Sequence, residues 1–239
     1  MPYSLDFTRN GKEYHYDLTS NDILNLLRAT YREGRQKEAV AYTLLNRFAW
    51  LYPTKQFDSL SSFIIAYSQP LNPKWFPTGS AHLATIQSLK SKYSGVELQN
   101  KLEYAKKLAN QRVINATMDI DKIPDTTKQA VYGVLNGDIK NPVKGAMHFI
   151  ASSANKNDSQ NTALIKQREF ASKRSDLGRA IVYSDATVGN NWFFTSPASD
   201  NFVLHISRNN KVIEAGMGLS GYFVLVAIAG YLLLKFTRK

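Results

Sequence analysis

The 239-residue chain contains no cysteine. Disulfides, thiolate nucleophiles and cysteine-based metal centres are therefore excluded. Histidine is scarce as well: the four His residues do not cluster with Asp or Glu at the spacing of metal ligands, and we predict neither a metal site nor a cofactor. Acidic residues are the minority among the charges, with 19 Asp and Glu against 30 Lys and Arg and a net charge of +11. This charge favours a polyanionic partner, either nucleic acid, anionic lipid or the acidic polymers of a cell wall, and does not choose among them.

The first residues lack the basic stretch and apolar run of a secretory signal peptide. Residues 1–19 instead alternate polar and apolar side chains on both sides of Asn10-Gly11. This dipeptide is typical of a two-residue hairpin turn, because both of its residues tolerate a positive φ. We predict a hairpin-like N-terminal leader over residues 1–19.

Charge is absent from residues 215–234, a run of twenty residues near the C-terminus. A helix of this length spans about 30 Å, the thickness of the hydrocarbon core of a bilayer. We predict a single transmembrane helix there, preceded by a juxtamembrane linker at 201–214 with a strand-like start and followed by a basic tail at 235–239. A helix buried in a soluble domain is the alternative.

The spacing of apolar residues predicts mainly helices in between. The amphipathic run at 22–31 predicts the first helix, which is capped by Ser20 or Asn21 and ends at Gly34. Two further helices are predicted at 37–52 and 57–67, followed by an ordered loop at 68–79. One or two helices follow at 80–118, with a core stripe of Leu98, Leu102, Ala105 and Leu108, and another helix begins at Pro124 and is ended by Gly137. The last predicted elements are an extended segment at 146–150, a loop at 151–163, a basic helix at 164–177 and an extended pair around a turn at Gly189.

Glu33 lies at the end of the first predicted helix, where the helix dipole disfavours negative charge. A carboxyl group held there, half against a core and half in a cleft, tends to keep its proton. A general acid for the cleavage of a glycosidic bond needs this property. No second carboxylate is placed convincingly, since Glu38 is assigned to the start of the second helix.

Residues 26–33, followed by 39–47 with their terminal Asn46-Arg47 pair, resemble the spore-cortex-lytic type of cell wall hydrolase. Residues 66–75, 145–150 and 189–194 are similar to later segments of that family, in the same order. The resemblance implies a lysozyme-like, mostly helical fold that cuts the glycan strand of peptidoglycan, often as a lytic transglycosylase. It also implies that Glu33 is the catalytic acid.

The remaining candidate site residues follow the third predicted helix or precede an extended segment. Aromatic side chains stack on sugar rings, and amides bond to hydroxyl and N-acetyl groups. The predicted substrate-binding residues are Tyr67, Ser68, Gln69, Asn72, Trp75 and His148. For Trp75 the alternative is a buried anchor of a proline-rich loop, and for His148 it is a structural role.

The combined expectation is a mainly α (α+β) lysozyme-like soluble domain at 20–200, followed by the transmembrane helix at 215–234. Its predicted function is a membrane-anchored peptidoglycan hydrolase or lytic transglycosylase without a cofactor. A C-terminal anchor without a signal peptide would leave the domain in the cytoplasm, where there is no peptidoglycan. A virion enzyme of a phage with an internal membrane resolves this difficulty. The alternatives are a non-catalytic structural or glycan-binding virion protein that contacts capsid or forms a homo-oligomer, and a membrane protein that binds nucleic acid. No specific nucleic acid is expected.

Overall fold

Seven α-helices and six β-strands form an α+β fold in the part of the chain that the computed structural model describes. That part comprises residues 3–33, 36–151, 159–181, 191–199 and 201–208. Several features predicted from the sequence lie wholly or mostly outside it: the helix stop at Gly34, the loop at 151–163, the turn at Gly189, the transmembrane helix at 215–234 and the basic tail at 235–239. Within the described ranges, no helix is both long enough and apolar enough to cross a bilayer.

The predicted N-terminal hairpin is confirmed. Strands β1 (Tyr3–Arg9) and β2 (Lys12–Leu18) pair antiparallel, and the turn residues Asn10 and Gly11 both have a positive φ, of 53° and 73°. A strand from the predicted linker, β6 (Leu204–Arg208), pairs with the other edge of β1. The sheet has the order β2-β1-β6, and the alternate residues Tyr3, Leu5 and Phe7 pack into the main core.

Helix α1 comprises Ser20–Arg32 and therefore already includes Ser20, which was predicted as a possible cap. Thr19 is the cap, because its hydroxyl accepts the Asp22 N–H at 3.1 Å while Asp22 accepts the Thr19 N–H at 2.9 Å. The prediction of Ser20 or Asn21 as the cap is therefore wrong.

The carboxylate of Asp22 is fully buried and joins three elements. Besides Thr19 it accepts hydrogen bonds from the Tyr16 hydroxyl at 2.9 Å and from the Ser61 N–H at 2.7 Å. Burial alone would raise the pKa of Asp22, but the bonds from Thr19 and Ser61 outweigh burial and lower it. The ionised carboxylate therefore stabilises the junction of β2, α1 and the following helix α3 (Leu60–Tyr67).

Helix α2 (Lys37–Leu51) is buried on nearly all sides. It packs against α1, α3 and the helix α6 (Asp125–Asn136), which is why it shows little separation of apolar and polar faces. The predicted end of α6 at Gly137 is confirmed, with a left-handed φ of 78° that glycine adopts without strain. Helix α3 begins at Leu60 and not at Phe57, because Ser59 caps it.

The loop at 68–79 is ordered and contains a short 3-10 turn, Pro73–Trp75. It leads into a pair of helices, α4 (Ser80–Lys92) and α5 (Gly95–Ala116), which pack against each other and against this turn. The predicted core stripe of α5 is wrong at Leu108, which is 37% exposed, although Ala105 is buried. The reason is that a groove separates the two helices at this level.

A second sheet closes the structure, with β3 (His148–Ala151), β4 (Ala180–Ile181) and β5 (Asn191–Phe194) antiparallel in the order β3-β5-β4. The extended segment and the extended pair predicted from the sequence are both present. Helix α7 (Gln160–Ser172) follows the Ser159 cap and so lies earlier than the predicted 164–177.

Candidate active site at the end of α1

Glu33 terminates α1, with its N–H bonded to the Ala29 carbonyl at 3.0 Å. The second sheet holds this helix end in place, because the side-chain amide of Asn191 donates to the Glu33 carbonyl. The Asn191 N–H in turn donates to Gln36 Oε1 at 3.0 Å, and Gln36 is buried. The start of β5 thus fixes both the end of α1 and the residue that precedes α2.

The Glu33 side chain lines a cavity of about 170 Å³ between α1, α2, α3 and β3. The wall residues come from five parts of the chain: Glu33; Thr43, Leu44 and Arg47 of α2; Phe63 and Tyr67 of α3; Ser68 and Gln69 of the loop; Met147 and Phe149 around the start of β3. Half of the lining side chains are polar or charged and half are aliphatic or aromatic, and the Ser68 hydroxyl bonds directly to the carboxyl. Such a mixture is typical of a site that orients a ligand.

The electrostatics of the cavity shift the pKa of Glu33 upwards. Burial raises the pKa of Glu33, and the hydrogen bond from Ser68 Oγ to Oε1, 2.7 Å long, opposes that increase only in part. Among the described residues that line the cavity, Glu33 is the only carboxylic acid. Glu38 lies in the first turn of α2 and is not among them.

Arg47 places a positive charge in the same cavity. Its guanidinium lies over the Tyr67 ring, with 4.2 Å between Cζ and the ring centroid, and Tyr67 in turn contacts Phe63 at 5.0 Å between centroids. Burial lowers the pKa of Arg47, but a guanidinium stays charged at neutral pH. Arg47 was not among the residues predicted for the site. The sequence feature that could have indicated it is a cation four residues after Thr43, within an otherwise apolar stripe of the helix.

Asn46, next to Arg47, holds in place the cavity wall that is formed around the start of β3. Its amide donates to the carbonyl oxygens of Lys144 and Ala146 at 2.7 and 3.1 Å. These bonds fix the turn before β3, from which Met147 and Phe149 reach the cavity. Asn46 therefore holds the backbone of the wall, while Arg47 lines the cavity.

Three of the predicted binding residues line the same cavity as Glu33, namely Tyr67, Ser68 and Gln69. Asn72 does not line this cavity. Its side chain accepts the Lys74 N–H at 3.0 Å and donates to the Ala66 carbonyl at 2.7 Å, so it shapes the loop.

Trp75 and His148 also lie outside the Glu33 cavity. Trp75 lines the groove between α4 and α5. His148 is half-buried, and its Nε2 lies 3.1 Å from Ser196 Oγ. Burial and the charge of Arg47 lower the pKa of His148 to about 4, so the ring is neutral at pH 7.

Comparisons with protein-family models, with curated proteins and with solved structures gave no match to this chain. Within the described residues, no group of three or more His, Asp or Glu side chains is arranged to hold a metal ion.

Proposed function

We propose that this protein cleaves the glycan strand of peptidoglycan, with Glu33 as the general acid. The observation that carries the proposal is the carboxyl group of Glu33, which is partly buried at a helix end, lines the cavity and has a raised pKa. A carboxyl group that keeps its proton above the ordinary titration range of a glutamic acid can deliver that proton to a leaving oxygen. Its neighbours Tyr67 and Gln69 supply an aromatic face and an amide for a sugar.

In the proposed reaction, Glu33 gives its proton to the glycosidic oxygen while the bond between that oxygen and the anomeric carbon breaks. The resulting carboxylate is the species that the Ser68 hydroxyl stabilises, through the 2.7 Å bond to Oε1. The positive charge that develops on the sugar is quenched by the substrate itself, either by its N-acetyl oxygen or by its 6-hydroxyl group. In the first case water then opens the cyclic intermediate, giving its proton to Glu33 and leaving a reducing end. In the second case the hydroxyl proton returns to Glu33, the new C–O bond closes an anhydro ring, and no water is consumed.

A single acid is sufficient for this route, because substrate assistance replaces the second carboxylate that most glycosidases use. Arg47 adds a fixed positive charge that suits the carboxylates of peptidoglycan stem peptides. We include in the proposal a lysozyme-like arrangement, in which the acid ends one helix, a second helix forms the floor and a small sheet forms the opposite wall.

The proposal extends to the location of the enzyme. Residues 215–234 would anchor it to a lipid membrane, and a membrane-containing phage particle would use it to penetrate the cell wall. The support is the uncharged run in the sequence, which is long enough to span a bilayer.

Zymography on purified peptidoglycan tests the activity. The wild-type chain and Glu38→Gln should clear the substrate, and Glu33→Gln should not. Mass spectrometry of the released muropeptides then distinguishes an anhydro product from a reducing end. A wild-type chain that binds peptidoglycan but releases no fragments would favour the non-catalytic, glycan-binding alternative.

A further inference from the structure

A second and larger cavity lies in the groove between α4 and α5. Its volume is about 530 Å³, and it shares no lining residue with the cavity at Glu33. Apart from Trp75, its lining residues lie between the segments that carry the family resemblance. Neither the proposed reaction nor the main core accounts for the groove.

Aromatic rings and cations form the walls of the groove. Arg112 lies over the Trp75 ring at 5.1 Å from its centroid, and Lys101 lies over the Tyr93 ring at 4.4 Å. A third ring, that of Tyr104, is 64% exposed to solvent. An exposed aromatic ring in a concave, mostly apolar site is well placed to stack on the C–H face of a pyranose.

Polar side chains from both helices also line the groove. His82 comes from α4 and is only 7% exposed as a residue. Asn100 comes from the facing helix α5 and offers a side-chain amide. An imidazole and an amide can both bond to the hydroxyl and N-acetyl groups of a sugar.

The groove is attached rigidly to the candidate active site. Arg32, the residue before Glu33, donates from Nε to Asn115 Oδ1 on α5 at 2.6 Å, three residues beyond Arg112. The loop at 68–79 makes a second connection, since Gln69 lines the Glu33 cavity and Trp75 lines the groove. The groove and the Glu33 cavity are therefore joined directly by a hydrogen bond and by a loop.

The charge of this region selects among polymers. Residues 80–118 contain six Lys and Arg against two Glu. One of these, Glu97, lines the groove and pairs with Lys101 at 3.5 Å, so the net positive charge of the groove comes from Arg112. Aromatic faces suit sugar rings, His82 and Asn100 suit hydroxyl and N-acetyl groups, and Arg112 suits a carboxylate. A lipid surface is disfavoured, because the rings of Trp75 and Tyr93 line a recess and do not form a protruding apolar patch.

We propose that the α4–α5 groove is a second glycan-binding site, which holds an acidic, N-acetylated glycan strand away from the bond that is cut. The identity of that strand as peptidoglycan rests on the proposed function. Tyr104→Ala in the groove should weaken binding of the full-length chain to peptidoglycan about two- to tenfold, which is the effect of one lost ring contact. The matched control is Ile114→Ala, since Ile114 lies on the same helix, is 54% exposed and is not part of the groove.

Binding is measured by co-sedimentation with purified peptidoglycan in the Glu33→Gln background, so that cleavage cannot disturb the result. Loss of binding for Tyr104→Ala, with Ile114→Ala unchanged, supports the groove whether or not the wild-type chain is an enzyme. Equal binding by both variants overturns the inference and leaves the activity at Glu33 standing. His82→Ala gives an independent check, provided that its melting curve is unchanged, and should weaken binding in the same direction.

The competing partner is tested with anionic phospholipid vesicles. Retention on vesicles that depends on Tyr104, together with glycan binding that does not, would overturn the assignment to glycan. In an active wild-type enzyme, Tyr104→Ala should lower kcat/KM on intact peptidoglycan and leave the cleavage of short soluble glycan fragments unchanged. A short fragment cannot span both sites, so an equal loss on both substrates contradicts a separate binding site.

Discussion

Glu33→Gln removes the proton from the candidate acid and keeps the shape of its side chain. The amide oxygen of glutamine can still accept the hydrogen bond that Ser68 donates to Oε1 at 2.7 Å. The apolar contacts in the cavity are retained as well, so we expect the fold to be intact. The substitution therefore separates chemistry from structure at this position.

The expected loss of activity is at least the 10²- to 10⁴-fold that general acid assistance typically contributes. No other described residue in the cavity is an acid that could take over, so we expect the upper end of this range. Stability should change in the opposite direction. Burial raises the pKa of Glu33, so its ionised form is disfavoured in the folded state, and the neutral glutamine avoids this cost.

The gain in stability has a defined dependence on pH. The pKa of Glu33 is higher in the folded state than its ordinary value of 4.5, so the folded state binds this proton more tightly than the unfolded state does. The stabilisation by the protonated acid is complete below the unfolded pKa and is lost as the pH rises through the folded pKa. Glu33→Gln and the wild type should therefore be equally stable in acid, and the variant should become the more stable one above that range.

Urea unfolding at a series of pH values measures this difference, and the subtraction cancels other titrating groups such as Asp22. Glu38→Gln is the control, and its stability should follow the wild type throughout. Cleavage by Glu33→Gln close to the wild-type rate would refute the assignment of the acid. A stability difference that grows towards low pH would refute the electrostatic argument independently of the assay.

Four further substitutions or deletions test the site, the fold and the anchor. Ser68→Ala removes a bond that opposes the raised pKa of Glu33, so the alkaline limb of the pH–rate profile should move to higher pH; an unmoved limb contradicts the role of this bond. Asp22→Asn should cost about 2–4 kcal/mol in urea unfolding, and in the wild type this contribution should be lost as the pH falls below 3.8 through the lowered pKa of Asp22. Gly79→Ala places a methyl carbon 2.3 Å from a backbone oxygen of its own loop and should lower Tm by several degrees in calorimetry. Deletion of residues 215–234 should move the protein from the membrane pellet to the supernatant after sedimentation, and a full-length chain that stays in the supernatant rules out the anchor.

Local signals in the sequence were sufficient for much of the fold. The Asn10-Gly11 turn, the start of α2 at Lys37 and the end of α6 at Gly137 each depend on residues that are adjacent in the chain. Errors of a few residues arose where two potential caps compete. Thr19 caps α1 because Asp22 completes a reciprocal pair of bonds with it, and this pairing decides between neighbouring hydroxyl and amide residues.

Proximity along the chain did not predict which side chains of the loop share a cavity. Gln69 and Trp75 are six positions apart, but the 3-10 turn at 73–75 directs the loop away from Glu33. Trp75 consequently faces Arg112 in the groove between α4 and α5. The geometry of the turn depends on the Asn72 side chain and on the absence of a side chain at Gly79, and neither effect appears in a pattern of apolar residues.

The acidity of Glu33 depends on contacts that only the folded chain creates. A helix end alone leaves a carboxyl in water, where its pKa is ordinary. Burial of this carboxyl requires that β5 holds the end of α1, through Asn191, and that Asn46 holds the wall that carries Met147 and Phe149. Both anchors are polar groups from distant parts of the chain, bonded to backbone that would otherwise be free to move. The sequence therefore pointed to Glu33 as the candidate acid, while its raised pKa is a property of the second sheet and the helices together.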